Sequence, residues 1–191
     1  MVSPDYAANY QGALFSQLVS GDLHAKYDEL LMKVKSGGYS SVMFIGDKAI
    51  PDTDLTPSLS AVLGNLPFTV FVGSDAESAL AASSKYIIPS RSILERSGLL
   101  INGKGRVQYT DRVVEPLLGT EPEWRIINRL CEKFGSKLIS ATTDREATLS
   151  LLSSESRLAG LTISMIKAGG VDLNSHSSGS TDDNTRAAGQ V

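Results

Sequence analysis

Two short segments carry residue types that bind anions. Gly46-Asp47-Lys48 follows the apolar run Val42–Ile45, and Gly73-Ser74-Asp75 follows Phe68–Val72. In an open parallel sheet, ligands settle beyond the carboxyl ends of the strands. Glycine lets the backbone approach a ligand closely, and amides after Ser74 at the start of a helix would face a phosphate. Gly46, Asp47, Gly73 and Ser74 are therefore the candidates for holding a nucleotide phosphate. Gly-Asp after a strand is also ordinary turn chemistry. Neither a Walker A sequence nor a GxGxxG fingerprint accompanies it, so the turn is the simpler reading.

Other groups carry residue types suited to metal or nucleophile chemistry. Asp47, Asp52, Asp54 and Asp75 could offer oxygen ligands to Mg²⁺. Loop carboxylates are more often solvated, and no metal is assigned to them. Cys131 is the one cysteine and has no histidine nearby in sequence, so it reads as a buried thiol acting as a small hydrophobe. One thiol and the distant His24 and His176 cannot build a zinc site or hold an iron–sulfur cluster. No residue is singled out as catalytic.

A second polar cluster sits on a hairpin. Leu99–Ile101 and Arg106–Tyr109 flank Asn102-Gly-Lys-Gly105, where Asn and Gly tolerate positive φ. Lys104, Arg106 and Arg112 make this region basic, able to pair phosphates or a partner's carboxylates. Asn102 and Gly105 are explained by the turn. Arg106 and Gln108 are left as the candidate contact residues.

The elements that would position these residues follow from periodicity. Asp22 can cap a helix with Leu23, Tyr27, Leu30, Leu31 and Val34 at helical spacing, stopped by Gly37 and Gly38. Val42–Ile45 and Phe68–Val72 are continuous apolar runs, as expected of strands covered on both faces. Between them Thr56-Pro57 opens a helix bearing Leu59, Val62, Leu63 and Leu66. Ser74-Asp-Ala-Glu77 reads as a capping box, and Tyr86–Ile88 as a third strand. This alternation predicts an α/β chain with a parallel Rossmann-like sheet and flanking helices, then a β-hairpin and C-terminal helices. Thr120-Glu-Pro-Glu123 reads as a capping box for a helix with Trp124, Ile127, Cys131 and Phe134 on its apolar side, ended by Gly135. Residues 145–167 read as helical with an interruption at Gly160. The expected organisation is an irregular arm over 1–21, an α/β domain over 22–168 and a disordered tail over 169–191.

Composition narrows the function classes. The 191 residues are 41% hydrophobic with a net charge of -3, so a sizeable core is possible and nucleic acid is not an expected partner. The first residues show no basic segment leading into an apolar one, and no apolar run reaches the roughly 18 residues of a membrane helix. A cytoplasmic location is expected.

The chain from about Gly37 to Gly135 resembles the molybdopterin oxidoreductase superfamily. The matching residues are Phe44-Ile-Gly46-Asp47, the strand Phe68–Val72, Glu77-Ser-Ala79 and Ile87-Ile-Pro89. Glu95, Gly98, Asn102, Gly105, Arg106 and Gln108 then match, followed by Glu121-Pro-Glu-Trp124-Arg-Ile-Ile127. Within that superfamily it looks most like a C-terminal piece of the large iron–sulfur subunit of NADH–quinone oxidoreductase, respiratory complex I. The pattern departs at Lys104, where the family has an acid, at Leu99, where it has Thr, and at Ser84-Lys85, where it has an Asp. The cysteine-bearing cluster region and the molybdenum-ligating segment are also missing from the sequence.

The resemblance implies a scaffold that does not turn over alone and binds no cofactor of its own. Iron–sulfur clusters would lie on partner subunits of an oxidoreductase complex, itself peripheral to the inner membrane on the cytoplasmic or matrix side. Asn102, Gly105, Arg106 and Gln108 would be structural or interface residues. The alternative is a piece of a molybdopterin enzyme in which Gly46, Asp47, Gly73 and Ser74 hold the pterin nucleotide. A third reading is an independent small α/β binding domain.

Overall fold

The computed structural model describes residues 12, 23–47, 55 and 57–176. The expected arm, the Asp22 and Thr56 caps, Lys48, Asp52, Asp54 and the tail from 177 fall outside these residues. The fold is mixed α/β, with one parallel and one antiparallel sheet of three strands each. Its described residues divide into two compact units, one within residues 23–97 and 111–140, the other within 98–110 and 141–176. The hairpin thus belongs with the C-terminal helices and not with the strands that precede it.

The first unit is built by alternation. Helix α1 (Leu23–Lys35) leads to β1 (Ser41–Ile45), α2 (Pro57–Asn65) to β2 (Phe68–Gly73), and the short α3 (Ala79–Ala82) to β3 (Tyr86–Pro89). The strands lie in the order β1-β2-β3, with Phe44 opposite Phe71 and Val72 opposite Ile88. Side chains alternate across a strand, so β2 feeds two cores. Phe71 packs with Val34, Phe44, Leu59, Leu63 and Leu80. Val70 and Val72 pack on the other face with Ile126 of α4 (Glu123–Lys133). Burying a residue such as Phe71 completely contributes about 1.5–3 kcal/mol. Thr69, also buried, is accommodated because its hydroxyl donates to the Leu63 carbonyl at 2.8 Å.

The described residues do not fully cover the sheet. Met43, Ile45, Phe68 and Tyr86 share the face that α4 packs on, yet remain 39%, 43%, 48% and 52% exposed. The Phe68 and Tyr86 rings rest on one another at 4.8 Å.

Helix α4 corrects two readings. Its first turn has Pro122 at the cap with no side-chain bond, so Thr120 and Glu123 form no capping box. Thr120 instead closes a turn by donating to the Leu117 carbonyl at 2.8 Å. The buried positions are Ile126 and Asn128, whereas Phe134 is 86% exposed. Ile126 and Leu130 are one turn apart and meet the sheet, which outweighs the wider apolar stripe read from Trp124 onward. Asn128 tolerates burial because its Oδ1 accepts the amides of Leu138 and Ile139 at 3.0 and 3.2 Å.

The second unit pairs β4 (Gly98–Ile101) with β5 (Arg106–Thr110) as a hairpin, and β5 with β6 (Val171–Asp172). Helices α5 (Asp144–Ser154) and α6 (Ile163–Lys167) contribute Leu152, Ile163 and Ile166 to a core with Ile101 and Val107. The 145–167 stretch is therefore two helices, separated by a 3₁₀ turn and by Gly160 at φ +80°. Thr143 caps α5 by accepting the Glu146 amide at 3.1 Å. The stretch from Gly169, expected to be unstructured, includes β6, and His176 Nε2 lies 3.0 Å from the Ala159 carbonyl.

Candidate functional site

The carboxyl ends of β1 and β2 are joined by one side chain. The Gly46 amide donates to the Val72 carbonyl at 2.8 Å, which holds the strands paired up to their ends. Gly46 then takes φ +101°, a region where a side chain is strained. The chain turns there and brings Asp47 over the end of β2. Its Oδ1 accepts the amides of Ser74 at 2.5 Å and Asp75 at 3.0 Å, and its Oδ2 accepts the Ser74 hydroxyl at 2.5 Å. Gly73 lies directly beneath. A β-carbon there would come within 2.2 Å of Phe71 Cζ and 2.5 Å of Asp47 Oδ1.

The four candidate residues Gly46, Asp47, Gly73 and Ser74 are thus brought together. The expected capping box at Ser74 does not form. Helix α3 starts only at Ala79 and is capped by Ser78, which accepts the Ala81 amide at 3.2 Å. Ser74 is committed to Asp47 instead, and the Glu77 amide closes on Asp75 Oδ1 at 3.1 Å. Partial burial works to raise the Asp47 carboxyl. The Ser74 hydroxyl, the two amides and the Arg96 charge outweigh it and hold the group below its ordinary range.

Sequence reasoning missed the surrounding polar network. Arg96 forms an ion pair with Glu123, and the Ser90 hydroxyl donates to the same carboxylate at 3.2 Å. Glu95 is buried, with Oε2 accepting the Ser92 amide and Oε1 the Leu117 amide, each at 2.8 Å. Those amides lower its carboxyl pKa. Glu95 thereby ties the turn after β3 to the loop before α4. Its match to the family pattern was the only sequence signal for this, because a lone Glu gives no sign of which amides it will cap. Lys85, which replaces the family's acid, donates to the Leu66 carbonyl at 2.5 Å.

Beyond β3, Ile88, Pro89, Ile126 and Leu130 line a pocket of about 550 Å³. Its polar rim includes Glu121 and Arg129, which pair at 3.0 Å. Among the described residues no three or more His, Cys, Asp or Glu side chains gather as a metal site. Cys131 is only partly buried.

In the hairpin, Asn102 Oδ1 accepts the amides of Lys104 at 2.9 Å and Arg106 at 3.1 Å. Gly105 carries the left-handed φ of +79°. Arg106 is a lock within its own unit, its Nε donating to the Gly169 carbonyl at 2.9 Å. Gln108 points to the exposed side of β5. Arg112 belongs to the other unit, where it pairs with Glu115 at 2.8 Å. The three basic residues therefore make no single patch inside one unit.

Known proteins place this architecture. The family model described as "Molybdopterin oxidoreductase" matches residues 7–133, more than half of the chain. A curated relative from Staphylococcus aureus (strain bovine RF122 / ET3-1), named "Putative formate dehydrogenase", is 24% identical over 149 residues. That alignment covers 69% of this chain and 14% of the relative, so the chain spans a small part of that protein's length. With the strand–helix alternation, the Glu95 ties and the Asn102–Arg106 hairpin all inside or next to the matched range, the chain belongs to the molybdopterin oxidoreductase family.

Proposed function

We propose that this chain is a scaffold section of the large subunit of an oxidoreductase complex of the NADH–quinone type, with electron transfer carried by iron–sulfur clusters on its partners. The observation that supports it most is the incomplete cover of the parallel sheet. Parallel strands are almost always buried on both faces. Here Met43, Ile45, Phe68 and Tyr86 stay about half exposed on one face of a sheet that has three strands among the described residues. A half-exposed apolar sheet face of this kind calls for a partner surface. The rest of the complex is the proposed occupant, and through it the chain would sit at the cytoplasmic or matrix side of the inner membrane. No helix among the described residues is long and apolar enough to cross a membrane.

The family's pterin nucleotide would need phosphate donors at the strand ends. The residues present fit it poorly. The Ser74 and Asp75 amides and the Ser74 hydroxyl all point at the Asp47 carboxylate. Gly46 and Gly73 are accounted for by a backbone turn and by contact with Phe71 and Asp47. The second reading, a section of a molybdopterin enzyme holding the nucleotide at these four residues, is favoured by the formate dehydrogenase name of the relative.

Native co-purification separates the readings. Iron, flavin and quinone-reductase subunits accompanying the chain support the scaffold. Fluorescent pterin released on denaturation supports the second reading. A stable monomer with neither contradicts both and leaves an independent binding domain.

A further inference from the structure

We infer that Asp47 is a built-in anion: its carboxylate stands where a phosphate would sit, so this chain closes its own nucleotide-phosphate cradle. The donors form a small concave nest of the kind that binds anions. Two successive amides and a hydroxyl converge on two oxygens at 2.5, 3.0 and 2.5 Å, the contacts a phosphate edge would make. The nest is the turn itself and owes nothing to α3, which starts further along at Ala79. Asp47 reaches it from β1, so the contact also clasps the two strand ends together.

The surrounding charge keeps the nest closed to a second anion. Among the described residues Arg96 is the cation whose field reaches Asp47, and it is already paired with Glu123. Asp75 adds another carboxylate, engaged with the Glu77 amide. An incoming phosphate would meet the Asp47 and Asp75 carboxylates, and would have to break three hydrogen bonds to displace Asp47. Beneath the nest Gly73 leaves no spare room, since the space a side chain would take is filled by Asp47 Oδ1 and Phe71. Removing the Asp47 carboxylate leaves three aligned donors without an acceptor, a costly state that an external anion can relieve.

This inference goes beyond the scaffold proposal and is tested separately from it, by chemical rescue in the full chain. Thermal unfolding of wild type, Asp47→Ala and Asp47→Asn is followed with inorganic pyrophosphate or acetate as the probe. Amide shifts of Ser74 and Asp75 are followed by NMR in parallel. Wild type is expected to show no saturable shift at either amide. Asp47→Ala is expected to melt lower, to bind pyrophosphate at least ten-fold more tightly than wild type, and to regain most of the lost melting temperature. Asp47→Asn keeps the side-chain size and one acceptor oxygen, so it reports if the alanine variant fails to fold. Its expected gain is smaller and of the same sign. Saturable pyrophosphate binding at the Ser74 amide of wild type would overturn the inference and favour the pterin-nucleotide reading. A variant that melts lower but gains no affinity would overturn it too, by showing that the nest is not an anion site. Neither result bears on whether cluster-bearing subunits co-purify.

Discussion

The carboxylate ties of the parallel-sheet unit span distant segments and those of the hairpin unit stay local, and the two units also differ in how far they cover their sheets. In the parallel-sheet unit the loops are tied by carboxylates. Asp47 holds Ser74 and Asp75, Glu95 holds Ser92 and Leu117, and Glu123 holds Arg96 and Ser90. In the hairpin unit carboxylates cap local amides, Glu146 those of Thr142 and Thr143 and Asp172 that of Asn174, while the hairpin itself is held by Asn102 closing its turn and Arg106 gripping the Gly169 carbonyl. Packing differs as well. Helices α5 and α6 bury Ile101 and Val107 of the hairpin, whereas α4 leaves part of one face of the parallel sheet bare. A unit that ties its loops firmly and leaves its sheet open is suited to being a rigid piece of a larger assembly.

Substitutions can break this comparison at its strongest point first. Phe71 is fully buried at the centre of the parallel unit. Phe71→Ala should destabilise that unit by about 3–5 kcal/mol, measured by denaturant unfolding. Hydrogen exchange should show the loss in β1 to β3, with β4 and β5 retaining more of their protection. Asn102→Ala removes two turn hydrogen bonds and should cost about 1–2 kcal/mol, with the greatest loss of protection at the Arg106 amide. Thr143→Ala removes the α5 cap and should cost about 1 kcal/mol, read as fraying of the first turn of α5.

Acid separates the two kinds of tie. The carboxyls of Asp47 and Glu95 are held below their ordinary values of 3.8 and 4.5. A lowered folded pKa means that stability is present above the ordinary value and is lost as pH falls through the folded one. The Asp47 and Glu95 ties of the parallel unit should therefore weaken as pH drops below about 4.5, as should the Glu146 and Glu155 caps of the other unit, while the Asn102 and Arg106 ties should be insensitive over that range. Amide exchange of Ser74 and Leu117 against Arg106 across an acid titration checks it. The smallest effect is expected at Ile45. Ile45→Lys should change the stability of the isolated chain by less than about 1 kcal/mol, yet weaken its retention in a complex.

Much of this was legible in the sequence where a pattern repeats. The runs Val42–Ile45 and Phe68–Val72 announced parallel strands, and Asn102-Gly-Lys-Gly105 announced the hairpin. The four strand-end residues were legible as a group because each follows an apolar run. What they contact was not, since Ser74-Asp-Ala-Glu77 satisfies the capping-box pattern equally well and only the fold puts Asp47 within reach of the Ser74 amide. Arg96 and Glu123 are 27 positions apart, and no local rule pairs them. Helix α4 was misread because Trp124, Ile127, Cys131 and Phe134 form an apolar stripe in sequence, while the sheet takes Ile126 and Leu130. Gly169 onward looked unstructured from composition, which cannot see that Arg106 will hold its carbonyl.

The most direct test of the scaffold proposal is the iron bound per chain after native purification, compared between wild type and Ile45→Lys, with the accompanying subunits identified by mass spectrometry. The proposal predicts that wild type brings down cluster-bearing subunits and their iron without releasing pterin. It also predicts that Ile45→Lys loses both while remaining folded. Wild-type chain that is monomeric and iron-free, or that releases pterin on denaturation, would contradict it.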